Sequence, residues 1–243
     1  NGNGYCWGDN STGQIGDNTT TQRNVPTLVT GGHAWRTIEI QDGQTTPFTC
    51  GVTTGGAGYC WGHNSQGQLG DNSTTQRNAP VQINGSYTDW IAIDTGMEST
   101  CGIRSSSGTQ GEIYCWGLND VGQLGDGTNT NSLVPVAVSG GYGDWTRVSA
   151  GADYAACGIR STGQAYCWGD NANGRLGDGT TTASNVPVEV SGASTNWNTI
   201  SSGDHTCGIR GGNLYCWGDN ANGELGDGTT VAKYVPTLVS GGY

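Results

Sequence analysis

The chain has 243 residues, of which 45 are glycine and only 12% are charged, and nine Lys and Arg against twenty Asp and Glu give a formal net charge of −11. The single lysine, Lys233, and the absence of any basic run argue against a nucleic-acid partner, because affinity for phosphates comes mainly from clustered Lys and Arg. No apolar run approaches the roughly 18 residues of a membrane-spanning helix, and a secreted protein would carry its signal peptide outside these residues.

A Tyr-Cys-Trp-Gly segment recurs five times and divides the chain into units of about 50 residues. The copies begin at Tyr5, Tyr59, Tyr114, Tyr166 and Tyr215. A period of this size is typical of propeller blades and solenoid repeats. Because the array runs from end to end, residues 1–243 are predicted to form a single β-propeller segment that is part of a longer array.

Each unit begins with a Val-Pro segment that reads as a strand. In one copy Val134, Val136 and Val138 alternate with other residues, which is the two-residue period of a strand with one buried face. The proline fits only near the start of a strand or on an edge strand, because it cannot donate a hydrogen bond to the ladder.

Three more short segments follow in every unit. The second starts at a tryptophan, the third reads Cys-Gly-Ile-Arg or a close variant, and the fourth is Tyr-Cys-Trp-Gly. Gly-rich and Ser-rich turns between the third and fourth segments predict a β-hairpin, and no window has helical periodicity. The pattern predicts an all-β fold, a β-propeller built of four-strand repeats, with the Trp and Leu side chains of each unit packed between blades.

Eight of the nine cysteines recur as pairs, with one member in the third segment and the other in the fourth. The pairs are Cys50 with Cys60, Cys101 with Cys115, Cys157 with Cys167, and Cys207 with Cys216. Facing residues of an antiparallel hairpin are close enough for a disulfide. Zinc is the competing interpretation, but there is no Cys-x-x-Cys, and His33, His63 and His205 do not follow the period. The pairs therefore predict disulfides and an oxidising, extracellular or cell-surface location.

The strand count is incomplete. One fourth-type strand, four full sets and one first-type strand give about 18 strands, two short of five four-stranded blades. Cys6 is left unpaired, and its partner would lie in one of the two missing strands. We expect either further sequence beyond this window or a neighbouring molecule that supplies the strands, and in the latter case the molecules would form a polymer unless the ring closed.

The units resemble the regulator of chromosome condensation repeat. The resemblance rests on the Gly-Gln-Leu-Gly-Asp-Gly-Thr run at 122–128 and its variants, on the Val-Pro strand that follows, and on Asp204-His205-Thr206 before the third strand. It implies a β-propeller, commonly of seven blades, in which each sequence repeat straddles two blades. The name-giving nuclear member is a guanine-nucleotide exchange factor that docks on chromatin. A secreted bacterial branch, to which this cysteine-rich chain is similar, includes an inhibitor of β-lactamases that uses aromatic residues on one propeller face.

Candidate chemistry is sparse. The Asp-Asn-Ala-Asn-Gly loops at 170–174 and 219–223, with Asp178 and Asp227, offer clustered oxygen atoms suggestive of calcium, but the same residue types form tight turns. No zinc or other cofactor is predicted. A catalytic site would use residues that break the repeat, and these form no pattern of nucleophile, base and orienting group, so we expect the chain not to be an enzyme. The residues that depart from the repeat are His33, His63, Phe48, Met97, Glu98, Tyr154 and Lys233.

A protein partner or copies of the chain itself are the expected ligands. The connections between the second and third segments differ most between units, and propeller loops on one face commonly form partner surfaces. The predicted partner-binding residues are Phe48, Met97, Glu98, Tyr154 and His205. Two functions remain open. The first is a structural or adhesive surface protein, assembled into a filament in which a neighbouring chain completes the blade, and the second is a soluble secreted binder such as an inhibitor of a secreted enzyme.

Overall fold

A computed structural model gives the positions of residues 2–41, 46–151, 154–192 and 194–241. These residues form eighteen β-strands, and the described part of the chain contains no helix of the length and apolarity that a membrane span requires. The strands are β1 Tyr5–Gly8, β2 Arg23–Leu28, β3 Trp35–Gln41, β4 Phe48–Thr53, β5 Gly58–Gly62, β6 Arg77–Gln82, β7 Trp90–Thr95, β8 Ser99–Arg104, β9 Glu112–Gly117, β10 Ser132–Ala137, β11 Trp145–Ala150, β12 Ala155–Arg160, β13 Ala165–Gly169, β14 Ser184–Glu189, β15 Trp197–Ser201, β16 His205–Arg210, β17 Asn213–Gly218 and β18 Lys233–Leu238.

The strands form four antiparallel four-stranded sheets and one two-stranded sheet. Each large sheet contains four consecutive strands, from β3–β6 to β15–β18, and β1 pairs with β2. The first strands of successive sheets contact one another, β3 with β7, β7 with β11 and β11 with β15. They are therefore the innermost strands of an open propeller, and the predicted fold and strand number are confirmed.

The blade and the sequence unit are out of phase. A blade contains the second, third and fourth segments of one unit and the Val-Pro strand of the next. The Val-Pro strand is always the outermost strand of its sheet, so Pro80, Pro135, Pro187 and Pro236 lie on free edges where no ladder hydrogen bond is lost. Each sequence repeat thus straddles two blades, as the resemblance implies.

The four predicted disulfides are present. The paired cysteines face each other across the third and fourth segments, with Cα atoms 4.0 to 4.1 Å apart. Cys6 lies opposite Thr27 in the two-stranded sheet and is a buried free thiol. Burial raises the pKa of Cys6 to about 11, because the thiolate would lose its hydration.

Adjacent blades are joined through the tryptophan of the fourth segment. The indole N–H of Trp116 donates to the Gln68 carbonyl oxygen of the preceding loop at 2.9 Å, and the Thr100 hydroxyl donates to the same oxygen at 2.8 Å. The same indole contact joins Trp61 to Gln14, Trp168 to Gln123 and Trp217 to Arg175. All four tryptophans are fully buried, as are Ile15, Leu69, Leu124 and Leu176 of the same loops, which confirms that these residues pack between blades.

Candidate functional site

The connections between strands lie at two opposite ends of the blades. We call the first end the loop face. It contains the short connections 42–47, 96–98, 151–154 and 202–204, and the long connections 9–22, 63–76, 118–131, 170–183 and 219–232. We call the opposite end the hairpin face. It contains the turns 54–57, 105–111, 161–164 and 211–212, and the connections 29–34, 83–89, 138–144 and 190–196. Residues 42–45, 152–153 and 193 lie outside the described residues.

Each long connection of the loop face is folded around one buried asparagine. The side-chain amide of Asn119 donates to the Thr128 and Thr130 carbonyl oxygens at 3.1 Å, and its own oxygen accepts the Leu124 amide at 2.9 Å. Because one side chain satisfies three backbone groups, the loop is held without a helix or strand. The equivalent residues Asn10, Asn64, Asn171 and Asn220 make the same contacts.

This geometry favours the turn interpretation of the Asp-Asn-Ala-Asn-Gly loops over calcium. Asn171 and Asn220 are fully buried, and Asp227 accepts the amide and hydroxyl of Thr229 and pairs with Lys233. The Thr229 hydroxyl, the Thr229 amide and Lys233 lower the pKa of Asp227 to about 2. Over the described ranges, no group of three or more His, Cys, Asp or Glu side chains is arranged to hold a metal ion.

One of the predicted partner-binding residues is misplaced. Phe48 is the first residue of β4. It is fully buried, because it packs in a core cluster with Leu69 and Trp116. The same register position, opposite the glycine of the fourth segment, holds Ser99 in the next blade and is again buried. Phe48 is therefore a core residue and contributes no partner surface.

The other four predicted residues lie on the loop face. Met97, Glu98, Tyr154 and His205 are each half-buried, and the Met97 carbonyl oxygen accepts the Thr46 hydroxyl of the neighbouring blade at 3.1 Å. Tyr154 has a φ of 60°, an unusual backbone conformation for a non-glycine residue. Their role in binding stays a prediction.

Glu98 is the charged member of this group, and it lies near charges from two long connections. The pKa of the Glu98 carboxyl group is raised above its ordinary value, mainly by burial and also by the charge of Asp120, whereas His63 acts in the opposite direction. The structure therefore brings Glu98 near His63 and Asp120, whereas His205 belongs to the fourth blade.

Charge is unevenly divided between the two ends. Among the described residues the loop face carries twelve carboxylates and four cationic side chains. The carboxylates are Asp9, Asp17, Asp71, Glu98, Asp120, Asp126, Asp170, Asp178, Asp204, Asp219, Glu224 and Asp227. Each cation is already paired with one of them, Arg23 with Asp17, Arg77 with Asp71, Arg175 with Asp170 and Lys233 with Asp227. The excess of negative charge is therefore concentrated on the loop face.

The hairpin face is close to neutral. Its described charges are Asp89, Glu112, Asp144, Glu189, Arg36, Arg104, Arg147, Arg160 and Arg210. Arg104 pairs with Asp89 and Arg160 with Asp144, and the guanidinium groups stack on Tyr87 and Tyr142. The described residues place no carboxylate within ion-pair distance of Arg36, Arg147 or Arg210.

Sequence reasoning missed the clefts of the hairpin face. Three cavities, of about 380, 370 and 410 Å³, are lined in part by the segment 105–111. The sequence contained a signal, since the cysteines that flank this turn are 14 residues apart, whereas those of the other blades are 9 or 10 apart. One hairpin is therefore longer than its counterparts.

Comparison with known proteins identifies the repeat. The profile of the "Regulator of chromosome condensation (RCC1) repeat" matches residues 1–43, 56–103, 110–157, 162–209 and 211–242, and a second profile of that repeat matches residues 145–175.

The curated relatives are much longer proteins. The E3 ubiquitin-protein ligase HERC2 of Homo sapiens is 31% identical over 192 residues, which cover 77% of this chain and 4% of the relative. The probable E3 ubiquitin-protein ligase HERC4 of Mus musculus is 29% identical over 196 residues, 79% of this chain and 18% of the relative. The chain thus spans less than a fifth of either relative.

Solved structures share the fold over nearly the whole chain. Human WBSCR16 has a TM-score of 0.82 and 21% identity over 99% of this chain and 63% of its own. Prp20p from Saccharomyces cerevisiae has a TM-score of 0.81 and 16% identity over 99% of this chain and 59% of its own. At these identities the similarity concerns the fold alone.

Proposed function

Since this chain belongs to the Regulator of chromosome condensation (RCC1) repeat family, we propose that it is a non-catalytic protein-binding propeller whose loop face docks a partner with a basic surface. The observation that carries the proposal is the charge division, with twelve carboxylates and four paired cations among the described residues at one end of the blades. A field of one sign over a large face steers and orients an oppositely charged protein.

A structural relative supports a protein partner in general terms. Prp20p has binding properties to Gsp1p and histones, and histones are strongly basic. The identity of 16% transfers no partner to this chain, but it makes core histones a reasonable basic probe.

The proposal includes an oxidising compartment. Four disulfides in 243 residues are typical of extracellular or cell-surface proteins, because cytosolic thiols are kept reduced. In such a compartment the proposed function is that of a secreted or surface-exposed binding protein, for example an inhibitor of a basic secreted enzyme.

A matched pair of double variants tests the loop face. Glu98→Gln with Asp120→Asn removes two negative charges from the loop face, and Glu112→Gln with Glu189→Gln removes two from the hairpin face. With core histones as the probe, we expect the loop-face pair to raise Kd about 3- to 10-fold and the hairpin-face pair to change it less than about twofold, given 0.2–1 kcal/mol per exposed charge. Equal effects of the two pairs would contradict the proposal.

A second candidate function, a structural or adhesive filament subunit, is favoured by two unpartnered blade faces. Trp7 is 62% exposed, whereas its counterparts in the other four units are fully buried. On the fourth blade Ile209 and Leu214 are 39% and 37% exposed, whereas the equivalent Ile103 and Ile113 are buried against the next blade. The two faces have the residue types that meet at every internal blade boundary, so copies of the chain would dock head to tail.

Mixing experiments test this second function. Trp7→Asp blocks one face and Ile209→Asp blocks the other, so each variant is expected to be monomeric by sedimentation velocity, and their equimolar mixture is expected to form a dimer through the two intact faces. A wild-type chain that stays monomeric at high concentration would exclude assembly through these faces and leave the loop-face proposal untouched.

A further inference from the structure

The β8–β9 connection, residues 105–111, is the feature of the hairpin face that departs from the repeat. It has seven residues, whereas the equivalent turns 54–57, 161–164 and 211–212 have four or two. Residues that only build the scaffold recur in every blade. An enlargement confined to one of the four described hairpins is therefore a candidate site for recognition of a specific ligand.

This connection is restrained by hydrogen bonds despite its length. The hydroxyl of the buried Ser105 accepts the Ser107 and Gly108 amides at 3.1 and 2.9 Å and donates to the Gln110 carbonyl oxygen. Gly111 exchanges two backbone hydrogen bonds with Trp145 of the next blade, at 3.0 and 2.9 Å. A side chain at position 111 would collide with the Arg104 carbonyl group. The exposed residues 106–110 are therefore anchored at both ends by hydrogen bonds, and such restraint lowers the entropic cost of binding.

The central cleft beside this connection is hydrophilic. The central cavity of about 380 Å³ is lined by Ser105, Ser106, Ser107 and Gln110 and by the carboxylates of Asp89 and Glu112. Hydroxyl and amide groups donate to and accept from hydroxyl groups, and carboxylates accept from them. The three cavities offer no enclosed apolar pocket for a hydrophobic side chain. The lining is suited to a ligand that carries many hydroxyl groups.

The two outer clefts each contain a guanidinium group that has no carboxylate partner in the described residues. Arg36 lines the cavity of about 410 Å³ and Arg147 lines the cavity of about 370 Å³, and both side chains are exposed. All four cations of the loop face are paired. One Nη of Arg36 donates to the Trp90 carbonyl oxygen. The remaining N–H groups of Arg36 and the guanidinium of Arg147 are available to carboxylates of a ligand, which guanidinium groups bind with charge-assisted hydrogen bonds.

We propose that the hairpin face binds an acidic polysaccharide, a chain of uronate sugars, laid across residues 105–111. Arg36 and Arg147 pair with its carboxylates in the outer clefts, and the serine-rich central cleft binds its hydroxyl groups. The loop face repels a polyanion, so the charge division of the molecule directs such a ligand to the hairpin face.

Binding of polygalacturonate, measured by isothermal titration calorimetry, tests the proposal. Arg36→Gln with Arg147→Gln is expected to weaken binding about tenfold, as the loss of two charge-assisted contacts predicts. Arg23→Gln with Arg77→Gln makes the same change of net charge on the loop face and is expected to alter Kd less than about twofold. Absence of polygalacturonate binding by the wild-type chain, or equal effects of the two double variants, would overturn the proposal.

Two further ligands and one graft separate recognition of the sugar chain from general attraction to anions. Dextran, which is neutral, is expected not to bind, and poly-L-glutamate is expected to bind at least about tenfold more weakly than polygalacturonate, because it lacks hydroxyl groups. Replacement of residues 105–111 by the Ser-Thr-Gly-Gln turn of 161–164 is expected to abolish the preference for polygalacturonate while the chain stays folded by circular dichroism. Equal affinity for poly-L-glutamate in the wild-type chain would overturn the assignment to a sugar.

Discussion

One indole nitrogen in each blade joins that blade to the loop before it. The sequence predicts that the recurrent tryptophan packs between blades, and the structure adds the acceptor, a backbone carbonyl oxygen such as that of Gln68. The acceptor was not predictable from the sequence. The residue at that position is glutamine in three units and Arg175 in another, and a backbone carbonyl oxygen is present whatever the side chain.

Phe48 shows the opposite case, in which the residue type misled. It departs from the repeat and was therefore predicted to be a partner-binding residue. Its register position holds Phe48, Ser99 and Ala155, all buried, in three blades, and the half-buried His205 in the fourth. Variation between units can thus reflect local repacking of the core as well as specificity at the surface.

The indole contact predicts a specific loss of stability. Trp116→Phe removes the N–H while keeping an aromatic ring, so the Gln68 carbonyl oxygen retains only the Thr100 hydroxyl in a fully buried site. We expect the free energy of unfolding in urea to fall by about 1–3 kcal/mol. Trp7→Phe is the matched control, since Trp7 is exposed, and it is expected to change the unfolding free energy by less than about 0.5 kcal/mol. Similar losses in both variants would contradict the role of the contact.

Two carboxylates of the innermost strands predict a pH dependence. Burial and the charge of Asp94 raise the pKa of Glu39 above its ordinary value of 4.5. The folded state therefore favours the protonated form, so the stability that Glu39 contributes is complete below pH 4.5 and is lost as the pH rises through the folded-state pKa.

Glu39→Gln tests this dependence. The variant mimics the protonated form, so its free energy of unfolding at pH 7 is expected to exceed that of the wild type by about 0.5 kcal/mol, a small value because Glu39 is partly exposed. The difference is expected to disappear below pH 4.5. A gain in unfolding free energy that persists at low pH would show that the effect comes from packing. Glu189→Gln, at an exposed position, is the control.

Strands and hairpins were predictable from the residue pattern alone, whereas their grouping into sheets was implied only by the resemblance to a known repeat. The Val-Pro strand lies between a Tyr-Cys-Trp-Gly strand and a Trp-led strand, and either neighbour is close enough in sequence for antiparallel pairing. The structure pairs it with the preceding strand, as in β5 with β6. The long preceding connection is fixed by its buried asparagine, which returns the chain to the edge of the same sheet.

The cross-strand disulfides were predictable because the two cysteines of each pair recur in every full unit, at positions that face each other across the predicted hairpin. Cys157 and Cys167 close a loop of sequence separation 10, and the loop-entropy model gives such a crosslink about 3 kcal/mol. Replacing both cysteines with alanine is expected to lower the free energy of unfolding by about 2–3 kcal/mol in urea titrations. Cys6→Ala, which removes no disulfide, is expected to cost less than about 1 kcal/mol. A loss from the double variant no larger than that from Cys6→Ala would show that this disulfide does not stabilise the blade.

At the scale of the whole molecule, the acidity was predictable from the composition and its location was not. The net charge of −11 is compatible with an evenly solvated surface. Only the topology reveals that Glu98, Asp120 and Asp204 lie at the same end of the blades. It also reveals that Arg36 and Arg147, which have no carboxylate partner among the described residues, lie at the other end. This division of charge supports the two proposed functions, protein binding at the loop face and carbohydrate binding at the hairpin face.

Hydrogen–deuterium exchange of the chain with and without core histones tests the loop-face proposal most directly, because it locates the footprint of the probe. We expect slower exchange in the connections 63–76, 96–98, 118–131 and 202–204, with unchanged exchange in residues 105–111, if histones bind as in the loop-face proposal. Slower exchange in residues 105–111, with the loop face unaffected, would contradict it.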